Sequence, residues 1–204
     1  VQTNQTLPLY IFTEDFKDPP KINNVFWVDF NNNELYSFIE RNRARAVESY
    51  MFDGVRFCYK VFAQHQAKSL AKKIFFIDAD CIFLNKIPET WFDNMLPDDC
   101  FTSFYDRPGL YTECGFIGFN CALPISEYFF KEYLDLYLTD TIYSLNYFTD
   151  CHAFDFTRHK FNGHVAYKEK KLGQFIKHKI IHVMQYDPDI NHYIDHKKGN
   201  RKYT

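Results

Sequence analysis

The segment Lys73-Ile74-Phe75-Phe76-Ile77-Asp78-Ala79-Asp80-Cys81-Ile82-Phe83-Leu84 sets two carboxylates in the middle of an otherwise apolar run. Lys73 to Ile77 predicts a strand covered on both faces, because such strands are continuously apolar. The run stops at Asp78-Ala79-Asp80. In extended backbone, positions i and i+2 point the same way. The spacing therefore predicts carboxylates that converge on one hard cation, Mn²⁺ or Mg²⁺. In open α/β sheets ligands bind beyond the carboxyl ends of the strands. A metal held there can bridge two phosphates and take up negative charge on a departing nucleotide diphosphate. Buried carboxylates need compensation; a cation supplies it, and so do neighbouring Lys or Arg side chains.

Working outward from this segment, Leu7 to Thr13 and Asn24 to Phe30 predict two earlier strands. Asn32 to Tyr50 is charged and free of Pro and Gly, which predicts a helix. Val55 to Tyr59 reads as a short strand, and Lys60 to Lys72 as a helix packed on a sheet. Downstream, Cys100 to Tyr105 and Gly115 to Asn120 predict strands, Ser126 to Leu138 a helix with Ser126 as N-cap, and Lys179 to Met184 a last strand. Strands and helices alternate, so the class is α/β, with a mixed, mainly parallel central sheet flanked by helices. Residues 1–195 suit a single domain. The basic stretch 196–204 reads as a linker from a longer, multidomain chain, or as a lid.

The chain has 204 residues and a net charge of -2 with both signs interspersed, which argues against a general nucleic-acid or anionic-membrane binder. No apolar stretch approaches the roughly 20 residues of a membrane span. Aromatic residues reach 20%, with 23 Phe and 15 Tyr. They fit sugar stacking or a Phe-filled core, and their even spread favours the core. The six cysteines form no CxxC pair. Several sit inside apolar runs, and no signal peptide is evident, so free thiols in the cytoplasm are expected, in host cytoplasm if the chain is virus-encoded.

Strand, DxD and downstream segments together resemble the GT-A-fold glycosyltransferases, a Rossmann-like family, in particular the glycogenin-type branch. The compact, Phe/Tyr/Asn/Lys-rich style resembles the N-terminal glycosyltransferase domain of a chlorella-virus protein. The resemblance spans roughly residues 7 to 185. It implies that Asp78, Ala79 and Asp80 face the donor diphosphate and its metal, and that Lys60 or Arg56 contacts the nucleotide or its phosphates. It places Ile11, Thr13 and Asp15 at the nucleotide pocket, where uracil is usual, although the sequence does not separate UDP from GDP. Glu113-Cys114-Gly115-Phe116-Ile117-Gly118-Phe119-Asn120 resembles the family's segment beside the donor sugar, with Gly115 allowing close approach. Asp150-Cys151-His152-Ala153-Phe154-Asp155 resembles its Asp-led motif at a helix start; it nominates Asp150, then Asp155, for sugar contact. An N-cap Asp would look the same in sequence. Lys179-Ile180-Ile181-His182 resembles the late strand that ends in a metal-binding His. The family continues into a Gly and a Lys-Pro-Trp, which this chain lacks; Lys197, Lys198 or Arg201 would have to grip the diphosphate instead.

The implied activity is transfer of a hexose from a nucleotide sugar, UDP-linked by expectation, to a hydroxyl on a carbohydrate or glycoprotein acceptor. Asp78, Asp80 and His182 are the expected metal ligands. The glycogenin-like resemblance implies retention; inversion would need a carboxylate base, with Glu113 or Asp150 as candidates. Two other functions fit parts of the sequence. A strand followed by DxD is also the nucleophile motif of haloacid-dehalogenase-type phosphatases. There it usually lies on the first strand and precedes Gly-Thr or Thr, whereas here Cys81-Ile82 follows and at least two strands come before. A non-catalytic carbohydrate-binding module would use the aromatics alone.

Overall fold

A computed structural model describes residues 6–174 and 183–197. Two parallel strands open the fold, β1 (Leu9–Thr13) and β2 (Val25–Asp29). Helix α1 (Asn33–Asn42) follows, capped by Asn32, whose Oδ1 accepts the Leu35 N–H at 2.9 Å. It buries Leu35, Phe38 and Asn42 on one stripe. The helix expected to reach Tyr50 stops here because residues 43–50 are all exposed and offer that stripe nothing to bury.

The predicted strand Val55–Tyr59 is helical instead. Helix α2 (Gly54–Ala67) starts at Asp53, whose Oδ1 accepts the Arg56 N–H at 2.9 Å. Cys58, Val61 and Phe62 then face the core at i, i+3 and i+4. A cap one residue upstream thus overrides the β-branched and aromatic look of the segment.

The central sheet has the order β3-β6-β5-β7, with β3 (Lys73–Ile77), β5 (Thr102–Asp106), β6 (Glu113–Asn120) and β7 (Glu169–Gln174). Strand β4 (Cys81–Phe83) leaves it to pair antiparallel with β8 (Ile194–His196), Cys81 opposite His196. The sheet is mixed, as expected, but antiparallel pairing outweighs the mainly parallel pattern anticipated. β3–β6 and β5–β6 are antiparallel and β5–β7 is parallel. The 107–112 loop between β5 and β6 is too short for the crossover a parallel neighbour needs. β3 is half-buried along its length at one end of the order, not covered on both faces. The fully buried strand is β6.

Helices α4 (Ile125–Leu138) and α5 (Asp150–Phe161) cover one face of the sheet together with α2; α3 (Glu89–Met95), α6 (Val183–Tyr186) and α7 (Pro188–Asn191) lie toward the other. Alternate residues of the middle strands feed the two layers: Phe104 and Ile117 join the α2/α4/α5 core, Tyr105 and Phe116 the second core. Nine Phe and three Tyr are the largest fully buried side chains, so the aromatic excess is chiefly core. Each such ring contributes about 1.5–3 kcal/mol of burial. Ser126 is not the α4 N-cap. Pro124 occupies that position, and the Ser126 hydroxyl donates to the Cys121 carbonyl at 3.2 Å. Of the predicted strand Lys179–Met184, residues 179–182 lie outside the described residues, and Val183 and Met184 open α6. Among the described residues no helix is long and apolar enough to cross a membrane.

Candidate active site

Asp78 leaves β3 and enters a tight turn. The Cys81 N–H donates to the Asp78 carbonyl at 3.0 Å, and the Asp78 N–H to the Gly115 carbonyl at 3.0 Å. The two acids are therefore placed by a β-turn, with Ala79 exposed at its tip, and not by the strand alternation expected; each faces His196, but the two carboxylates fall in separate ligand groups. The turn is tied a third time where the Lys197 N–H donates to the Asp80 carbonyl at 2.9 Å.

What the turn aims at is His196, the last residue of β8 and the first of the predicted tail. Its Nε2 lies 3.0 Å from Asp80 Oδ1 and 3.4 Å from Asp78 Oδ2, and the residue is 3% exposed. Nδ1 lies 3.1 Å from Met184 Sδ. Glu113 completes a group with Asp78 and His196 whose ligand atoms all lie within 4.8 Å of one another; Asp80, Cys81 and His196 form another. Gly115 makes this convergence possible. A Cβ there would stand 2.6 Å from His196 Cε1, 2.8 Å from Glu113 Oε1 and 3.1 Å from Asp78 Oδ2.

Lys60, on α2, joins this cluster to α5. Its ammonium donates to Asp78 Oδ1 at 2.6 Å and the Cys114 carbonyl at 2.6 Å, and pairs with Asp150 Oδ2 at 2.9 Å. Burial alone would raise the Asp78 carboxyl and lower the Lys60 ammonium. The mutual attraction prevails: Asp78 sits well below the usual carboxylate range, mainly through Lys60, and Lys60 well above the usual ammonium value through Asp150 and Asp78. Asp150 is not the cap of α5. Thr149 is, with its Oγ1 accepting the His152 N–H at 3.3 Å, which leaves the Asp150 carboxylate to face Lys60.

Glu113 and Asp155 are placed differently. Glu113 Oε2 pairs with Arg107 at 3.2 Å, both side chains being almost fully buried, and Oε1 accepts the Gly115 N–H at 3.0 Å. Arg107 also donates to the Tyr111 and Thr112 carbonyls. Asp155 accepts from the Thr112 N–H at 2.9 Å, the Thr112 hydroxyl at 2.5 Å and Arg158 Nε at 2.7 Å. These contacts fasten the 107–112 loop and hold Glu113; they do not bring Asp155 into the cluster.

Among the other predicted residues, Ile11 and Thr13 lie on β1 opposite Trp27 and Asp29. The Phe12 ring on β1 lies 6.4 Å from the Phe76 ring on β3. Asp15 is exposed at positive φ, and Arg56 is exposed on the first turn of α2. His182, Lys198 and Arg201 lie outside the described residues. His196 and Arg107 were not anticipated as site residues. The one sequence signal for His196 was the alternation of Ile194 and His196 around Asp195. A surface cavity of about 470 Å³ beside α4 and α5, lined by Tyr128, Lys160 and His164 among others, contains none of the cluster residues.

No protein-family model matches the chain, and no curated protein matches it. Among solved structures it is similar to mouse xyloside xylosyltransferase 1 in its apo form, at 15% identity and a TM-score of 0.42. The match covers 72% of this chain and spans 62% of that one.

Proposed function

We propose that the chain is a metal-dependent glycosyltransferase domain that binds a nucleoside diphosphate sugar, expected to be UDP-linked, at the Asp78–Asp80 turn. The observation that carries this reading is that His196 Nε2 stands within reach of both Asp78 and Asp80 above a glycine that has room for no side chain. The donor set fits a divalent cation. Two ligands of an octahedral ion, each about 2.1 Å from it, stand about 3 Å apart, so His196 Nε2 is placed to share an ion with either carboxylate, Asp80 at 3.0 Å in the group with Cys81 or Asp78 at 3.4 Å in the group with Glu113. Carboxylate and imidazole donors suit Mn²⁺ better than Ca²⁺. For Nε2 to act as ligand the ring proton belongs on Nδ1, facing Met184 Sδ. Bound there, the ion would supply Lewis-acid neutralisation of the leaving diphosphate.

The chain's own residues do the rest. Lys60 brings a positive charge beside the diphosphate and orients Asp150. Asp150 is the carboxylate for the sugar hydroxyls, and β1 offers backbone groups to the base. Transfer of a hexose to a carbohydrate hydroxyl with retention follows from the GT-A resemblance, as does a role for His182 in the metal set. The test is a thermal-shift screen of UDP, GDP and their sugars with and without Mn²⁺, since ligands of the folded state raise apparent stability by mass action. A UDP-sugar shift that needs Mn²⁺ and is lost in Asp80→Ala supports the reading. Metal-dependent UDP binding that survives Asp80→Ala overturns it.

A further inference from the structure

Cys114 and Cys151 stand far apart in sequence, on β6 and in the first turn of α5. Yet their Sγ atoms and a carboxylate oxygen of Asp150 all lie within 4.8 Å of one another. Three of the other four thiols face oxygen: Cys58 the Val55 carbonyl, Cys100 Asp99 and Cys121 the Phe119 carbonyl. Cys151 donates to Asp150 Oδ1 at 3.7 Å, and the peptide of Cys114 holds Lys60 through its carbonyl at 2.6 Å. Cys114 is 1% exposed, whereas Cys151 is only half-buried.

We propose that Cys114 and Cys151 form a covalent modification site, a dithiol that low-molecular-weight disulfides convert to a Cys114–Cys151 disulfide inside the candidate active site. Cys151, the less buried residue of the two, reacts first. Its thiolate attacks one sulfur of the small disulfide and breaks that S–S bond. One small thiol leaves, carrying the proton Cys151 gave up, and a mixed disulfide remains. The Cys114 thiolate then attacks Cys151 Sγ and expels the second small thiol, which takes the Cys114 proton. Two protein thiols are oxidised and one small disulfide is reduced to two thiols. Burial pushes the Cys114 thiol well up; at Cys151 the hydrogen bond from Cys114 works downward, but burial and the charges of Asp150 and Glu113 outweigh it and the thiol also lies above its ordinary value. The nearby Lys60 ammonium favours the thiolate of either residue. Closure would tie the first turn of α5 to β6 and remove the S–H that Asp150 accepts.

The experiment incubates the folded, reduced chain with oxidised glutathione, blocks residual thiols with iodoacetamide and maps the peptides by mass spectrometry. The expected result is a peptide linking Cys114 to Cys151, a loss of two hydrogen masses per chain, alkylated Cys58, Cys81, Cys100 and Cys121, and reversal by dithiothreitol. The oxidised chain should melt several degrees higher, because the new loop constrains the unfolded state. Cys114→Ala should instead accumulate a glutathione adduct on Cys151. The same treatment in denaturant should scatter the pairing. A stable glutathione adduct on wild-type Cys151, a different cross-link, or no reaction overturns the proposal; the wild-type map needs no variant to fold.

Discussion

Lys60→Met removes one ammonium from between two carboxylates, and its cost can be worked from the geometry. Lys60 is 19% exposed at its side chain, Asp150 5% and Asp78 30%. Breaking a buried pair by deleting one partner costs about 3–5 kcal/mol, because the remaining charge stays buried. Partial exposure of Asp78 lets water screen its share. The loss should therefore fall near the lower bound, about 3 kcal/mol. For a chain of this size that lowers Tm by about 6–12 °C. Met keeps the aliphatic stem, so packing changes little. Urea unfolding of wild type, Lys60→Met, Asp150→Asn and the double variant measures the coupling. Once Asp150 is neutral, Lys60→Met should cost less, by about 1–3 kcal/mol. Mn²⁺ should also stabilise Lys60→Met more than wild type, since the ammonium no longer competes for Asp78. A Lys60→Met variant within about 0.5 kcal/mol of wild type, or strictly additive behaviour in the double variant, would refute the reasoning.

The remaining predictions concern neighbouring contacts. Gly115→Ala forces a Cβ against His196 and Glu113, and should cost about 1–3 kcal/mol and weaken Mn²⁺ binding by calorimetry; an unchanged Tm and affinity would contradict the close packing. His196→Ala should lower Mn²⁺ affinity about tenfold or more, while His182→Ala separates the two candidate histidines: greater loss there would return the ligand role to His182. Asp155→Ala strips the Thr112 and Arg158 contacts and should cost about 2 kcal/mol in chemical unfolding. Asp140 is held below the usual carboxylate range: burial raises it, but Arg41 and Asn42 outweigh burial. Its folded pKa is the lower one, so its stabilisation is present above the unfolded value, 3.8, and fades as pH falls through the folded value. Asp140→Asn should therefore flatten the acid limb of a Tm-against-pH curve.

What the sequence disclosed depended on how local the signal was. The β3 run and its two acids were legible because carboxylates interrupting apolar residues are unusual within a few positions. Lys60 and Asp150 were nominated by order along the chain, and the fold brings Lys60 to Asp78 and Asp150 to Lys60. His196 was hidden in a polar, basic stretch. Its strand has three residues and exists by pairing with β4, more than a hundred positions earlier. Strand β6 was predicted two residues short, from Gly115 and not from Glu113. Its glycines are there because Phe75 crowds Gly118 and His196 crowds Gly115. No local pattern tells which acid a buried Arg107 will meet.

The same geometry sorts the three carboxylates nominated for chemistry. Glu113 has one oxygen on Arg107 and the other on a backbone N–H, and is 2% exposed. To act as a base it would have to break a buried ion pair, which costs about 3–5 kcal/mol before any proton moves. Asp155 has both oxygens on the 107–112 loop, and one also on Arg158. Asp150 has one oxygen on Lys60 and, among the described residues, the other faces only a weak thiol donor at 3.7 Å. Exchanging that thiol for a sugar hydroxyl would strengthen the contact, so Asp150 is the member of the three whose substrate contact costs the fold least. On this reasoning Glu113→Gln should lower stability more than Asp150→Asn does, and Asp150→Asn should impair donor-sugar binding while sparing Mn²⁺ binding. The opposite ranking, read from unfolding and calorimetry on the same two variants, would exchange their roles.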